Sequence, residues 1–159
     1  MATTTFLGNA TINLTVGATT TDLTDNCSKC EISLTKEALE TTAFGGTARV
    51  FTAGLENNEV TLTLFNSYGA GEVEAILYSA WGTAATLVIS PSGTTESASN
   101  PEYTITNCYL EKITPINSAV GELSVVEALF KGGSSARDIT NPCSSTLQAT
   151  DPDGGQRCN

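Results

Sequence analysis

The chain has 159 residues, of which 40 % are hydrophobic and only 15 % charged, with a net charge of −10 and no histidine. That length suits one domain of roughly 150 residues with a core that needs no metal or disulfide staple. The missing histidine excludes imidazole general bases, Ser–His and Cys–His nucleophile pairs, and His-containing zinc sites. Seventeen acids against seven bases exclude a basic nucleic-acid grip, while suiting a surface over which nucleic acid slides without sticking.

Residues 11–16 (TINLTV) alternate, with Ile12, Leu14 and Val16 on one face, which predicts a strand buried on one side. Residues 17–28 (GATTTDLTDNCS) carry turn chemistry and read as an exposed loop. Alternation returns from Cys30, placing Ile32 and Leu34 inward and Glu31 and Ser33 outward. Residues 35–53 are ambiguous, a short helical pattern giving way to Gly45-Gly46. A turn is expected at residues 54–58, then a strand over 59–65 with Val60, Leu62 and Leu64 on one face.

The period changes at residues 71–81, where Val73, Ile76, Leu77, Ala80 and Trp81 recur at helical spacing. An amphipathic helix of about three turns is predicted, with Glu72 and Glu74 at its positive end, Gly82 stopping it, and Trp81 as a core anchor. Residues 84–90 (AATLVIS) read as a strand buried on both faces, residues 91–101 as a polar loop, and residues 103–114 and 121–130 as two further strands. In the last, Leu123, Val125 and Leu129 share a face with Glu127, which fits a strand end, an interface or a lumen. From residue 132 the composition turns to Gly, Ser, Thr, Pro and Asp, which predicts a mobile tail or docking arm over 132–159, after a β domain over 1–131. The expected fold is mainly β, a β-sandwich or partly open barrel with one α-helix.

Five cysteines are present, an odd number that cannot close entirely within one chain. Cys27 and Cys30 form a CxxC with no βαβ context for a redox motif and no second half for a zinc site. Cys108, inside an alternating strand, reads as a small buried residue. Cys143 and Cys158 are candidate disulfide partners for each other or for Cys27 and Cys30, formed late, within or between chains. Paired carboxylates such as Glu37/Glu40 and Glu72/Glu74 read as solvated surface, since few aromatics exist to line a sugar cleft. Asp151 and Asp153 lack the downstream acid of a calcium loop. No catalytic site, metal or cofactor is expected. No apolar run approaches the ~18 residues of a membrane span, and the N-terminus lacks the charged region of a secretion signal, so synthesis in a cytosol without a membrane anchor is expected.

Taken together, Glu40-Thr-Thr-Ala-Phe44-Gly-Gly-Thr-Ala-Arg49, then Thr52-Ala-Gly54-Leu55 and the strand over 59–65, resemble the major tail tube proteins of long-tailed (siphovirus-type) bacteriophages. The chain resembles especially the compact type found in phages of actinobacteria. The helix, the strand ending in Pro91, and Asn100-Pro-x-Tyr103 before another strand extend the resemblance over residues 5–131. It implies a structural virion protein, made in the bacterial host cytoplasm, whose hexameric rings stack into a hollow tail tube that conducts DNA. Tape measure, tail terminator and tail tip proteins are the implied partners. Ring stacking is expected from the N-terminal arm (Thr5, Phe6), the loop over 17–30 (Thr20, Asp22, Asp25, Cys27, Cys30), and Phe44 and Arg49. Glu31, Glu59, Glu111 and Glu127 are candidate lumen acids, where negative charge keeps the duplex from adhering. Two rival readings are a tail terminator or capsid decoration protein, and a secreted β-sandwich binding module.

Overall fold

The computed structural model describes residues 8–94 and 96–139. In chain order these form β1 (Thr11–Val16), β2 (Thr19–Asp22), a 3-10 turn (Thr24–Asn26), β3 (Cys27–Ser33), β4 (Lys36–Glu40), β5 (Phe51–Glu56), β6 (Glu59–Phe65), α1 (Val73–Ala80), β7 (Ala84–Ser90), β8 (Glu102–Ile113), β9 (Val125–Lys131) and β10 (Ser134–Asp138). One sheet runs β2-β1-β7-β8-β9-β6-β3, with β10 also on β8, while β4 and β5 pair only with each other. All neighbours are antiparallel.

The sheet curls around a single core. Ile12 and Leu14 of β1 meet Val60, Leu62 and Leu64 of β6, Leu87 of β7, Ile105 and Leu110 of β8, and Phe130 of β9, all buried. Strand β1, second in that order, and the end strand β3 line a common cavity without pairing, so the barrel stays open on that side. Helix α1 adds Val73, Leu77 and Ala80 to the core. Ser67 supplies the start of this helix from outside: its hydroxyl accepts from Val73 N at 3.4 Å and its carbonyl from Glu74 N at 3.3 Å. Gly82, at φ +79°, ends it.

The longest strand, β8, holds two partners end to end on one side. Its second half pairs with β9 and its first half with β10, so that Tyr109 faces Lys131 and Thr106 faces Ser134. Between them both chains bend, at Asn107 (φ +60°) on β8 and at Gly132 and Gly133 (φ +75° and +80°) opposite. Only glycine takes such a backbone without strain from Cβ. A Cβ on Gly133 would lie 2.5 Å from Thr106 O and 2.9 Å from Cys108 N, whereas one on Gly132 would meet nothing. Asn58, itself buried, fixes the bend: its carbonyl accepts from Gly132 N at 2.8 Å and its side-chain amide donates to Gly133 O at 2.9 Å.

Several expectations give way here. The loop over 17–28 contains β2, joined to β1 through the two-residue turn Gly17-Ala18. Threonine on both faces hides the alternation, and Leu23 beyond it is buried in the core. The ambiguous stretch over 35–53 is no helix but most of the β4–β5 hairpin, because five helical-looking residues are too few to nucleate one. Gly54 lies inside β5, where a bulge between Lys36 and Ala38 brings the Glu37 and Leu39 side chains within 3.0 and 3.1 Å of where its Cβ would be. The turn falls instead at Asn57-Asn58.

Trp81 is 52 % exposed and tilts against Tyr78, ring centroids 6.1 Å apart. The chain has already left helical geometry there (ψ 126°), so the helical spacing no longer aims it inward. Strand β7 buries one face along its length, through Ala85, Leu87 and Ile89, while on the other only the terminal Ser90 is buried. Leu34 is exposed, not inward. In β9 the core row is Val126, Ala128 and Phe130, while Leu123 precedes the strand and is exposed. Residues 134–138 of the expected tail are a strand of the main sheet.

Substitution at the bend separates backbone strain from steric clash. Gly132→Ala is expected to cost roughly 1–2 kcal/mol from its left-handed φ alone. Gly133→Ala costs about 1–3 kcal/mol more because its Cβ meets backbone atoms that cannot move aside. Urea unfolding of both variants beside the parent chain checks the difference.

Candidate assembly surfaces

Three surfaces have the chemistry of self-assembly. The first is the β4–β5 hairpin, which projects from the sheet with Leu39, Phe44, Val50, Phe51 and Leu55 exposed. Its tip is ordered locally: Thr41 N donates to Val50 O at 2.8 Å and Val50 N to the Thr42 hydroxyl at 3.0 Å. An isolated two-stranded hairpin is marginal in water, and apolar side chains on both strands gain nothing until another surface covers them. Phe44 at the tip is fully exposed, and Arg49 reaches toward Glu40 at 3.9 Å.

The root of the hairpin is anchored by Glu56. One carboxylate oxygen receives Lys36 Nζ at 2.8 Å. The other accepts from Ser135 N at 2.9 Å, the Ser135 hydroxyl at 3.2 Å and the Asn58 amide at 3.2 Å. Lys36 first, then the Ser135 and Asn58 donors, hold this carboxyl far below its ordinary 4.5, at about 2. The residue therefore ties the hairpin, the 57–58 turn and β10 together.

The second surface is the outward face of β3, β6, β9 and β8. Cross-strand register places Glu31 opposite Thr61, Glu59 opposite Lys131, and Glu127 opposite Thr63. Glu111 joins this face through Lys131, whose ammonium lies 3.0 Å from Glu111 and 4.0 Å from Glu59. All four sequence-selected acids thus share one sheet face. Three have lysine partners, since Lys29 pairs with Glu31 at 3.1 Å; Glu127 has no ion pair among the described residues.

The third surface is the open seam between β1 and β3. Two solvent-open cavities of about 360 and 430 Å3 share Ala10 and Cys30 there. Asp25 and Cys27 line the first, so three residues selected for stacking meet at the seam. Thr20 and Asp22 are occupied within the chain, Thr20 by the Thr15 hydroxyl at 2.8 Å and Asp22 by Thr24 N at 2.9 Å. Cys27, Cys30 and Cys108 are free thiols, and burial pushes Cys30 up to about 12 and Cys108 to about 11. Thr5, Phe6, Cys143 and Cys158 lie outside the described residues. Sequence reasoning, which leaves residues 35–53 ambiguous, missed Leu39, Val50, Phe51 and Leu55; their signal is an apolar count too high for a turn-rich connection.

No family profile and no curated protein matches the sequence. Solved structures do. The tail tube of SPP1 matches with a TM-score of 0.65 at 10 % identity, covering 93 % of this chain and 93 % of that one. The fold is that of phage tail tubes. A chain of the native gene transfer agent virion matches at 0.57 and 10 % identity over 80 % and 95 % of the two chains. The tube-terminating cap of the anti-feeding prophage matches at 0.57 and 11 % over 88 % and 93 %. At such identities the likeness is one of fold, and it extends to both tube and end-of-tube components.

Glu56 gives these contacts a pH signature. Its carboxyl ionises near 2 when folded and near 4.5 when unfolded, so its stabilisation is complete above about pH 5 and lost as pH falls toward 2. Glu56→Gln should melt below the parent at pH 7. The gap between their Tm values should close on acidification to about pH 2, as a thermal-melt pH series would show.

Proposed function

We infer that the chain is a structural subunit of a phage tail tube, without catalytic activity, working by self-assembly. The observation that carries this reading is the β4–β5 hairpin, an ordered apolar arm that nothing among the described residues buries, on a tail-tube fold. In the proposed assembly, hexameric rings stack when each hairpin beds against the adjacent ring, so Phe44 and its neighbours contribute little until the next ring arrives. The unpaired outer edges of β2, β3 and β10 offer backbone donors and acceptors for sheet continuation around a ring. The face bearing Glu31, Glu59, Glu111 and Glu127 is the candidate lumen wall, past which DNA is conducted to the host cell.

Under this reading the protein is made in the host cytoplasm and ends in the virion tail. Its tube runs along a tape measure protein between a tail tip and a terminator. The fold shared with the anti-feeding prophage cap favours one second reading, a terminator that closes a single ring.

Negative-stain electron microscopy of concentrated protein tests both. The tube reading expects hollow filaments of uniform width; single closed rings that never stack select the terminator. Combined Phe44→Asp and Phe51→Asp substitutions should abolish filaments while moving the monomer Tm by no more than about 2 °C, since both side chains are exposed. Filaments of normal length from that variant overturn the hairpin's role.

A further inference from the structure

The sheet carries an apolar display at each of its two ends. Register sets Glu59 of β6 beside Ser33 of β3 and Lys131 of β9, and sets Phe65, at the other end of β6, beside Val125. The β4–β5 hairpin springs from the first end, where Asn57 N donates to Thr35 O at 2.8 Å. The second end lies about 20 Å away, the length of the seven-residue β6 at ~3.3 Å per residue. It carries the connection over 114–124, on which Ile116, Val120 and Leu123 are exposed. Phe65 and Tyr68, at the end of β6 and just beyond it, are exposed there too.

These side chains stand on an ordered frame. Pro115 O accepts from the Asn66 side-chain amide at 2.8 Å and from the Tyr68 hydroxyl at 3.0 Å, and Ser124 O accepts from Asn66 N at 2.8 Å. Between them a tight turn closes through Glu122 N, which donates to Ala119 O at 3.1 Å. An apolar surface already ordered in this way loses little conformational freedom when a partner covers it.

We propose that the 114–124 connection is the docking site for the β4–β5 hairpin of a second copy. The proposal rests on the tube reading and gives the hairpin its receptor. Charge selects this occupant. The hairpin's own connection over 41–50 carries one charged residue, Arg49, whereas segments 66–80 and 114–124 carry Glu72, Glu74 and Glu122 and no lysine or arginine. Two such acidic ends repel each other, and two hairpin tips set arginine against arginine; tip on acidic end joins opposite signs. Unlike surfaces at opposite ends of one molecule make a heterologous contact, whose repetition lines copies up head to tail.

Mixing two complementary variants tests this. Ile116→Asp with Val120→Asp removes the receptor and leaves the hairpin, while Phe44→Asp with Phe51→Asp removes the hairpin and leaves the receptor. All four side chains are exposed, so each variant should keep the parent's Tm within about 2 °C. Neither should form filaments alone under conditions where the parent does. Mixed, they should form complexes that stop at one layer of hairpin–loop junctions, seen in sedimentation velocity as a larger species absent from either variant alone. Filaments of normal length from the receptor variant overturn the docking site and leave the tube reading standing. A mixture that forms no complex overturns it as well, because the loop then receives something other than the hairpin. A parent chain that forms no filaments overturns the tube reading, and the proposal with it. Should the receptor variant fail to fold, Glu122→Lys takes its place: filament assembly should then need roughly tenfold more protein, and adding Arg49→Glu should restore the parent's threshold. An unchanged threshold, or one that Arg49→Glu does not restore, overturns the proposal.

Discussion

Everything else in the molecule depends on the paired bend at Asn107 and Gly132–Gly133. A twelve-residue strand with straight neighbours would give a flat, extended sheet with no enclosed core. Breaking β8 and its partner at the same level turns the sheet, so β6 and β3 can come round toward β1 and close most of a barrel over Leu62, Leu110 and Phe130. The bend is specified chiefly by backbone. Two glycines with positive φ supply the conformation, and Asn58 satisfies main-chain groups on both of them. Glu56, two residues before Asn58, carries that order on into β10 and the root of the hairpin. Core, edge and arm thus share one origin.

The parts of the fold legible in the sequence are those where one physical signal acts alone. Ile12 and Leu14, then Val60, Leu62 and Leu64, alternate against polar neighbours, and all five are buried as read. The helix shows because its period differs from that of its surroundings, and Cys108 is buried as its strand context implies. Where two signals compete, the reading fails. In β9 both faces carry aliphatic residues, and Glu127 and the terminal Lys131 alone mark the outer face. In β2 threonine occupies both faces and leaves no pattern. Trp81 fits the helical spacing but lies beyond the helix. The β4–β5 hairpin pairs only with itself, so no tertiary contact left a hydrophobic rhythm in its sequence. Phe44 and Arg49, selected from the segment that resembles tail tube proteins, lie in the connection between β4 and β5.

The acids tell a subtler story. Grouping Glu31, Glu59, Glu111 and Glu127 on one sheet face is what a repulsive wall requires, yet Lys29 and Lys131 answer three of them. At the ionic strength of a cell the Debye length is about 8 Å, so charges paired at 3–4 Å cancel before their field reaches far. Most of the net charge of −10 is therefore carried elsewhere on the molecule. In the proposed tube this face would offer a polyanion a fine alternation of sign, with no continuous basic track to hold it and only a weak barrier to exclude it.

A bend secured by main-chain groups leaves most of the text free. Such a hinge needs two glycines, one asparagine and little else, so neighbouring side chains can vary as long as their polarity alternates. A likeness of fold at 10 to 12 % identity over most of the chain is what a shape with so few fixed letters permits.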